Sequence, residues 1–222
     1  MSRPHRVAVL GGDTGFGHEL ATGLVVLGAS VAPVTGPWGS RAAVEAALAD
    51  AADLLSGLDA VVDANVPASA IHPAPLVGMD PAGWEAAVEV PLRSARYALQ
   101  ASFPHLREGG RMIVVLPALA MSGAPGLVPW MTAAEGYRAL AKVAARTWGP
   151  AGITVNTLAV AAELLAGSPD PAFARPGAPA PALGRLPRIT DVAGAVVALL
   201  SEGAAFVTGA TIPVDGGVWM TP

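Results

Sequence analysis

The stretch VAVLGGDTGFGHELATGLVVL, residues 7–27, decides the fold, because it joins a short apolar run to a glycine loop and then to a helical pattern. We predict a strand at Val7–Leu10 and a helix that follows the loop directly. Glycines in such a loop allow a tight turn and let a phosphate approach the amides of a helix N-terminus, where the helix dipole favours negative charge. The sequence therefore predicts a phosphate-binding loop with the residues Gly11, Gly15, Phe16 and Gly17.

Short β-branched runs alternate with longer stretches of helical spacing along the rest of the chain. This alternation predicts one α/β domain over residues 1–222, a Rossmann-like, doubly wound parallel sheet with helices on both faces. We expect strands at Val7–Leu10, Ser30–Val34, Ala60–Ala64, Arg111–Leu116, Thr154–Leu158 and Thr211–Pro213, and helices at about 15–27, 41–56, 83–107, 130–148 and 191–202.

Composition excludes several classes of protein. No apolar run reaches the ~18 residues that span a bilayer, the N-terminus has no cleavage signal, and we expect a cytoplasmic protein that does not associate with membranes. A net charge of −4 without a basic cluster argues against nucleic-acid binding. The chain has no cysteine and its four histidines lack ligand spacing, so we predict no metal site. The proline-rich residues 168–187 indicate an exposed loop, either a lid or a plain connector.

Four segments resemble the short-chain dehydrogenase/reductase (SDR) family. The loop at 11–17 is similar to the family's phosphate loop, with Leu10 where a threonine is usual. GPAGITVN at Gly149–Asn156 resembles the entry to a late strand, and Leu183–Arg185 with Asp191–Leu200 resembles the late helix. VTGATIPVDGG at Val207–Gly217 is the most specific match. The resemblance implies an NAD(P)-dependent oxidoreductase that assembles as a dimer or tetramer.

The family's catalytic positions hold residues without acid–base chemistry. Counting back from Ile153, the tyrosine and lysine of the family's YxxxK pair fall on Trp130 and Ala134. The serine and the helix-borne asparagine fall on Pro117 and Pro91. Since a positioned acid or base contributes roughly 10²–10⁴ in rate, we predict no catalytic residue and no carbonyl reduction by the family mechanism.

A shifted register does not restore the pair. The single lysine, Lys142, lies five residues after Tyr137, which is about 140° around a helix, so the two side chains do not point into one site. Ser122 can reach the cleft from its loop but lacks the tyrosine that it would assist. On the resemblance, Glu135, Tyr137 and Lys142 lie on a helix that packs against a partner subunit, and we expect interface contacts there.

The cofactor is left open. The second strand ends in Val34–Pro37, which has no charged residue for the adenosine ribose, and one helix–strand unit of the family is missing before Ala60–Ala64. Leu165 replaces the threonine expected at the carboxamide. The glycine loop could still hold a phosphate, with Asn65 a weak cofactor contact, but NAD(P) has lost most of its recognisable partners.

The leading hypothesis is a non-catalytic subunit, a pseudoenzyme, that pairs with an active SDR paralogue in a hetero-oligomer. One alternative is a repurposed non-redox enzyme, an isomerase, cyclase or dehalogenase-like activity in the old cleft. Another alternative is an NAD(P)-type ligand sensor. A repurposed pocket would use Asp13, Asp63 and His72, although for each residue taken alone the sequence favours a solvated loop residue.

Overall fold

A computed structural model gives the structure of the chain and describes residues 4–67, 71, 73–167 and 180–220. Six parallel strands form one sheet in the order β2-β1-β3-β4-β5-β6. The strands are β1 (Arg6–Leu10), β2 (Ser30–Val34), β3 (Ala60–Asp63), β4 (Arg111–Pro117), β5 (Thr154–Val160) and β6 (Thr211–Val214). The Rossmann-like doubly wound fold is thus confirmed, and each predicted strand is present within one or two residues of its expected ends.

Helices cover both faces of the sheet. They are α1 (Gly15–Val26), α2 (Arg41–Leu55), α3 (Pro81–Trp84), α4 (Val90–Ser102), α5 (Val128–Trp148), α6 (Ala162–Ala166) and α7 (Ile189–Leu200), with a π turn, Glu85–Glu89, joining α3 to α4. Helices α1 and α7 pack with one face of the buried strands, whereas α2, α4 and α5 pack with the other. The buried apolar side chains form two clusters, one on each face, and these hold the sheet between them.

The predicted helix bounds are wrong at several ends, for local reasons. The stretch expected at 83–107 begins at Pro81, because Asp80 caps it by accepting from the Gly83 amide at 2.6 Å, and α4 ends at Ser102 before a 3₁₀ turn. Helix α5 begins at Val128, since proline is tolerated in a first turn. Helix α7 begins at Ile189, where the Asp191 carboxylate accepts from the Arg188 amide. Helix α6 was not predicted.

Only α2 connects β2 to β3, as the missing helix–strand unit predicted. Strand β2 is therefore the edge of the sheet, and it pairs with β1 alone. Pro33 lies in this strand and has no amide hydrogen, which is typical of an edge strand that does not accept further strands. Of the proline-rich segment, residues 168–179 lie outside the described part of the chain, and residues 180–188 form turns and irregular structure.

Two glycines of the loop at 11–17 are required by close backbone packing. Gly11 has φ +89°, and a Cβ there would lie 2.7 Å from the Cα of Asn65 at the end of β3. A Cβ on Gly17 would lie 2.1 Å from the carbonyl oxygen of Gly11. By contrast, a Cβ on Gly15 would meet nothing within 4 Å. Gly11 and Gly17 therefore bring β1, α1 and β3 together, whereas Gly15 leaves its side of the loop open.

We expect Gly17→Ala to lower the free energy of unfolding by about 1–3 kcal/mol or more, because its methyl group cannot be placed without moving backbone. The matched variant Gly15→Ala places the same methyl group in open space and should change stability by less than about 1 kcal/mol. Urea denaturation of the two variants measures the difference. Equal losses in both would show that packing does not require Gly17.

Candidate functional site

Hydrogen bonds within the protein use most amides of the glycine loop. Gly11 and Gly12 both donate to the carbonyl oxygen of Val34, at 3.1 and 2.9 Å. Thr14 caps α1: its Oγ1 accepts from the Gly17 amide at 2.9 Å and donates to the Gly11 carbonyl at 2.8 Å. The amides of Gly15 and Phe16, in the first turn of α1, have no partner within the helix and can meet a ligand.

A cleft of about 860 Å³ opens beside this loop at the carboxyl ends of the strands. This is the size of a typical organic-ligand site, roughly 300–1,000 Å³. The structure brings several predicted residues together along its wall, while Gly11 and Gly17 serve packing instead. His72 lies outside the described residues. The predicted residues that line the cleft are Asp13, Gly15, Phe16, Asn65 and Leu165.

The side chains of this cleft do not fit NAD(P). Its described lining includes three acidic residues, Asp13, Glu19 and Glu163, and no lysine, arginine or histidine. Asp13 precedes the N-cap residue Thr14, and Glu19 lies in the second turn of α1, so both carboxylates add negative charge near the helix N-terminus. A pyrophosphate would have to enter beside them. The backbone at Gly15 suits a phosphate, but the charges around it oppose one.

The ribose end of the cleft has changed as well. Trp38 lines it, and its indole packs against the backbone of Gly36, within the segment where the sequence lacks a charged residue. The Ser94 hydroxyl donates to the Trp38 carbonyl at 3.1 Å and ties this segment to α4. A tryptophan ring can contact a flat ligand but cannot bind ribose hydroxyls as a carboxylate does.

The end of the site where the family reduces a carbonyl is nearly filled. The four residues that the sequence matches to the family's catalytic positions, Pro91, Pro117, Trp130 and Ala134, all line one cavity of about 40 Å³. Trp130 is only 4% exposed. A cavity of this size holds a few water molecules, each of which needs at least ~10–15 Å³. A bound substrate would need Trp130 to move.

Two buried polar side chains form the floor of this cavity. The hydroxyl of Tyr137 donates to Oδ2 of Asp63 at 2.5 Å, and the Asn65 amide donates to Oδ1 at 3.0 Å. Asp63 is 4% exposed and Tyr137 is 7% exposed. The prediction that Asp63 is a solvated loop residue is therefore wrong, since β3 carries its side chain into the space beneath α5.

The interface prediction for α5 also needs correction at Tyr137, which points into the core rather than toward a partner. Its position follows from helix geometry: Tyr137 comes seven residues after Trp130, two turns along the same face, and both side chains line the cavity. That spacing was the available signal in the sequence. Glu135 pairs with Arg138, and Lys142 is exposed, so Tyr137 and Lys142 do point apart as expected.

Burial controls the protonation of this pair. Desolvation raises the pKa of Asp63 to about 6, and the hydrogen bonds from Tyr137 and the Asn65 amide only partly offset it. Desolvation, together with the neighbouring carboxylate, raises the pKa of Tyr137 well above its usual value. Tyr137 therefore stays protonated and donates to Asp63. It is a poor acid for a bound carbonyl.

No group of three histidine, aspartate or glutamate side chains lies close enough together to hold a metal ion in the parts of the chain that the structure describes. No helix within those parts is both long and apolar enough to cross a lipid bilayer.

A glycine loop at the point where the strand order reverses, above a ligand-sized cleft, defines the class of doubly wound nucleotide-binding folds. Comparison with known proteins gives the family. A family profile described as enoyl-(acyl carrier protein) reductase matches residues 15–219. A short-chain dehydrogenase/reductase of Hericium erinaceus, eriH, is 32% identical over 205 residues, covering 90% of this chain and 80% of that protein. The chain belongs to the short-chain dehydrogenase/reductase family.

Two further relatives are similar. Cis-4-hydroxycyclohexanecarboxylate dehydrogenase of Sinomonas cyclohexanicum is 33% identical over 149 residues, which cover 65% of this chain and 59% of that enzyme, less than two thirds of its length. The crystal structure of a dehydrogenase/reductase from Sinorhizobium meliloti 1021 superposes with a TM-score of 0.81 at 26% identity, covering 98% and 96% of the two chains. The fold is therefore that of the family over nearly the whole chain.

We expect stability to fall as the pH rises from about 4 to about 7. Because the folded-state pKa of Asp63 lies above its unfolded value, its contribution is fully present below the unfolded pKa and is lost through the folded pKa near 6. The loss is on the order of 2–3 kcal/mol. Asp63→Asn should remove this slope and stabilise the protein at pH 8, as measured by urea denaturation across pH.

The variant Tyr137→Phe provides the control for the pair. It removes the donor that stabilises the carboxylate, so the pH at which stability is lost should move higher than in the wild type. An unchanged pH profile in Asp63→Asn would contradict the assignment of the slope to this carboxyl group.

Proposed function

We propose that this chain is a subunit without oxidoreductase activity of its own, a pseudoenzyme, which assembles with an active SDR oxidoreductase. One observation carries the proposal. The cavity at the position of the family's reaction site is reduced to about 40 Å³ and is lined by Trp130, Ala134 and two prolines, Pro91 and Pro117. None of these side chains can donate or accept the proton that carbonyl reduction requires.

The neighbouring tyrosine does not supply the missing acid. Tyr137 is the one tyrosine at the cavity, and its hydroxyl is bonded to Asp63 with a pKa raised well above the usual value. Lys142 is exposed on the other side of α5 and does not reach it. The relatives above are named dehydrogenases or reductases, so loss of the reaction in this chain is compatible with a supporting role beside an active member.

The long helices α4 and α5 offer the surface for assembly. They pack against each other at the edge of the core that contains Tyr137. Each also exposes an apolar side chain, since Val90 is 42% exposed on α4 and Val143 is 62% exposed on α5. In the proposed assembly a partner subunit packs against these helices and covers both side chains.

Native mass spectrometry of the protein isolated from its source at its natural level tests the proposal. We expect a mixed oligomer with a second SDR chain of similar size, and hydride transfer that depends on that second chain. A pure homo-oligomer would overturn the hetero-oligomer, and NAD(P)H-dependent carbonyl reduction by the isolated chain would overturn the absence of oxidoreductase activity.

We expect Val143→Glu to weaken this assembly at least tenfold, because the charge would be buried against the partner's helices. The matched control is Val26→Glu on α1, which lies on the opposite face of the sheet and is 77% exposed. Analytical ultracentrifugation of both variants with the partner measures the effect. If both variants assemble like the wild type, the α4–α5 surface is not the interface.

A second candidate is the repurposed non-redox enzyme, and one observation favours it. Asp63 is a buried carboxyl group at the cavity with a pKa of about 6, which is suited to general acid–base chemistry near neutral pH. Incubation in D₂O with a ligand from the native extract would show deuterium exchange at a carbon atom. Loss of the exchange in Asp63→Asn supports this candidate, and exchange that is equal in wild type and variant removes it.

A further inference from the structure

The acidic cleft calls for a ligand other than the family's anionic dinucleotide. We propose that the cleft and a side cavity next to it bind an uncharged organic molecule with a carbonyl-type oxygen, which accepts a hydrogen bond from the indole N–H of Trp219. This inference is independent of the proposed function, because a subunit with or without a partner can hold such a ligand.

The side cavity measures about 60 Å³ and lies next to the cleft, since Ala161, Glu163 and Leu186 line both. Its remaining wall is mostly apolar, with Leu119 and Val218 beside Trp219. A ligand long enough to occupy the cleft can thus place one end in the side cavity. Apolar walls with few polar groups are typical of sites for organic molecules.

Trp219 provides the specific polar contact. Its Nε1 is buried and has no acceptor among the described residues. Buried donors are nearly always paired, so an unpaired one requires an explanation. The backbone that carries the indole is held in position, because the backbone amides of Gly217 and Trp219 donate to the two oxygens of Asp215 at 2.9 and 2.8 Å. Both Asp215 oxygens are thereby engaged, and an oxygen of the ligand completes the pairing of the indole.

The charges of the lining decide the charge of the ligand. Glu163 lies at the junction of the two spaces, and Asp13 and Glu19 line the far side of the cleft. No basic side chain of the described lining balances them. A carboxylate or phosphate ligand would meet repulsion along the whole path, whereas a neutral amide, ketone or ester would keep the hydrogen bond to Trp219 without that repulsion.

Two small molecules of equal size test whether the site prefers an uncharged ligand to an anionic one. Benzamide is neutral and carries a carbonyl acceptor, whereas benzoate carries a negative charge at the same position. The readout is the indole ¹⁵N–¹H resonances of the five tryptophans of the full-length protein at neutral pH, with Trp219 assigned through Trp219→Phe. We expect benzamide to shift the Trp219 resonance saturably and benzoate to bind at least tenfold more weakly.

The matched variant for Trp219→Phe is Trp84→Phe, which removes a tryptophan of α3 away from both spaces. Benzamide binding should weaken in the first variant and remain in the second, with the other resonances reporting that both are folded. Glu163→Gln should reduce the difference in binding affinity between benzamide and benzoate. Benzoate binding as tight as benzamide, no shift of Trp219 with either fragment, or micromolar binding of NADPH would each overturn the proposal.

Discussion

The contact between two glycines and two strand ends is the constraint on which the site depends. The carbonyl of Gly11 lies so close to Gly17 that no side chain fits between them, and Gly11 itself lies against the backbone of Asn65. These approaches fix the start of α1 against the ends of β1 and β3. The cleft opens at this point, and Asn65 lines both the cleft and the small cavity beneath Trp130. The packing that makes the fold therefore also determines where a ligand can lie.

Compared with the family, the fold of this chain and the side chains of its reaction site differ to different degrees. The backbone of the family remains, including the glycine loop and the last strand, because each is held by packing that does not depend on a cofactor. The side chains at the reaction site carry no such constraint, and Trp130 and Pro117 fill it with apolar surface. Strand β2 has become an edge through the absence of one helix–strand unit, and Pro33 protects that edge.

The sequence predicted the sheet because strand and helix periodicities are local signals, and all six strands were found. Counting back from Ile153 matched the family's YxxxK pair to Trp130 and Ala134, and the structure brings both residues to one cavity. The sequence did not predict the bond between Asp63 and Tyr137, which joins residues 74 positions apart and depends on how α5 packs on β3. The sequence did not predict the acidic lining for the same reason, since Glu163 and Asp13 line one cleft only after the strands are aligned.

A buried carboxyl group without a basic partner is costly, so its presence at Asp63 requires a reason within the structure. The hydroxyl of Tyr137 and the Asn65 amide satisfy both of its oxygens, and with these partners the group can be accommodated in the core. The pair in turn holds α5 to the end of β3, at the boundary between the cleft and the helices that carry the exposed Val90 and Val143. The same hydrogen bond thus links the ligand side of the molecule to helix α5.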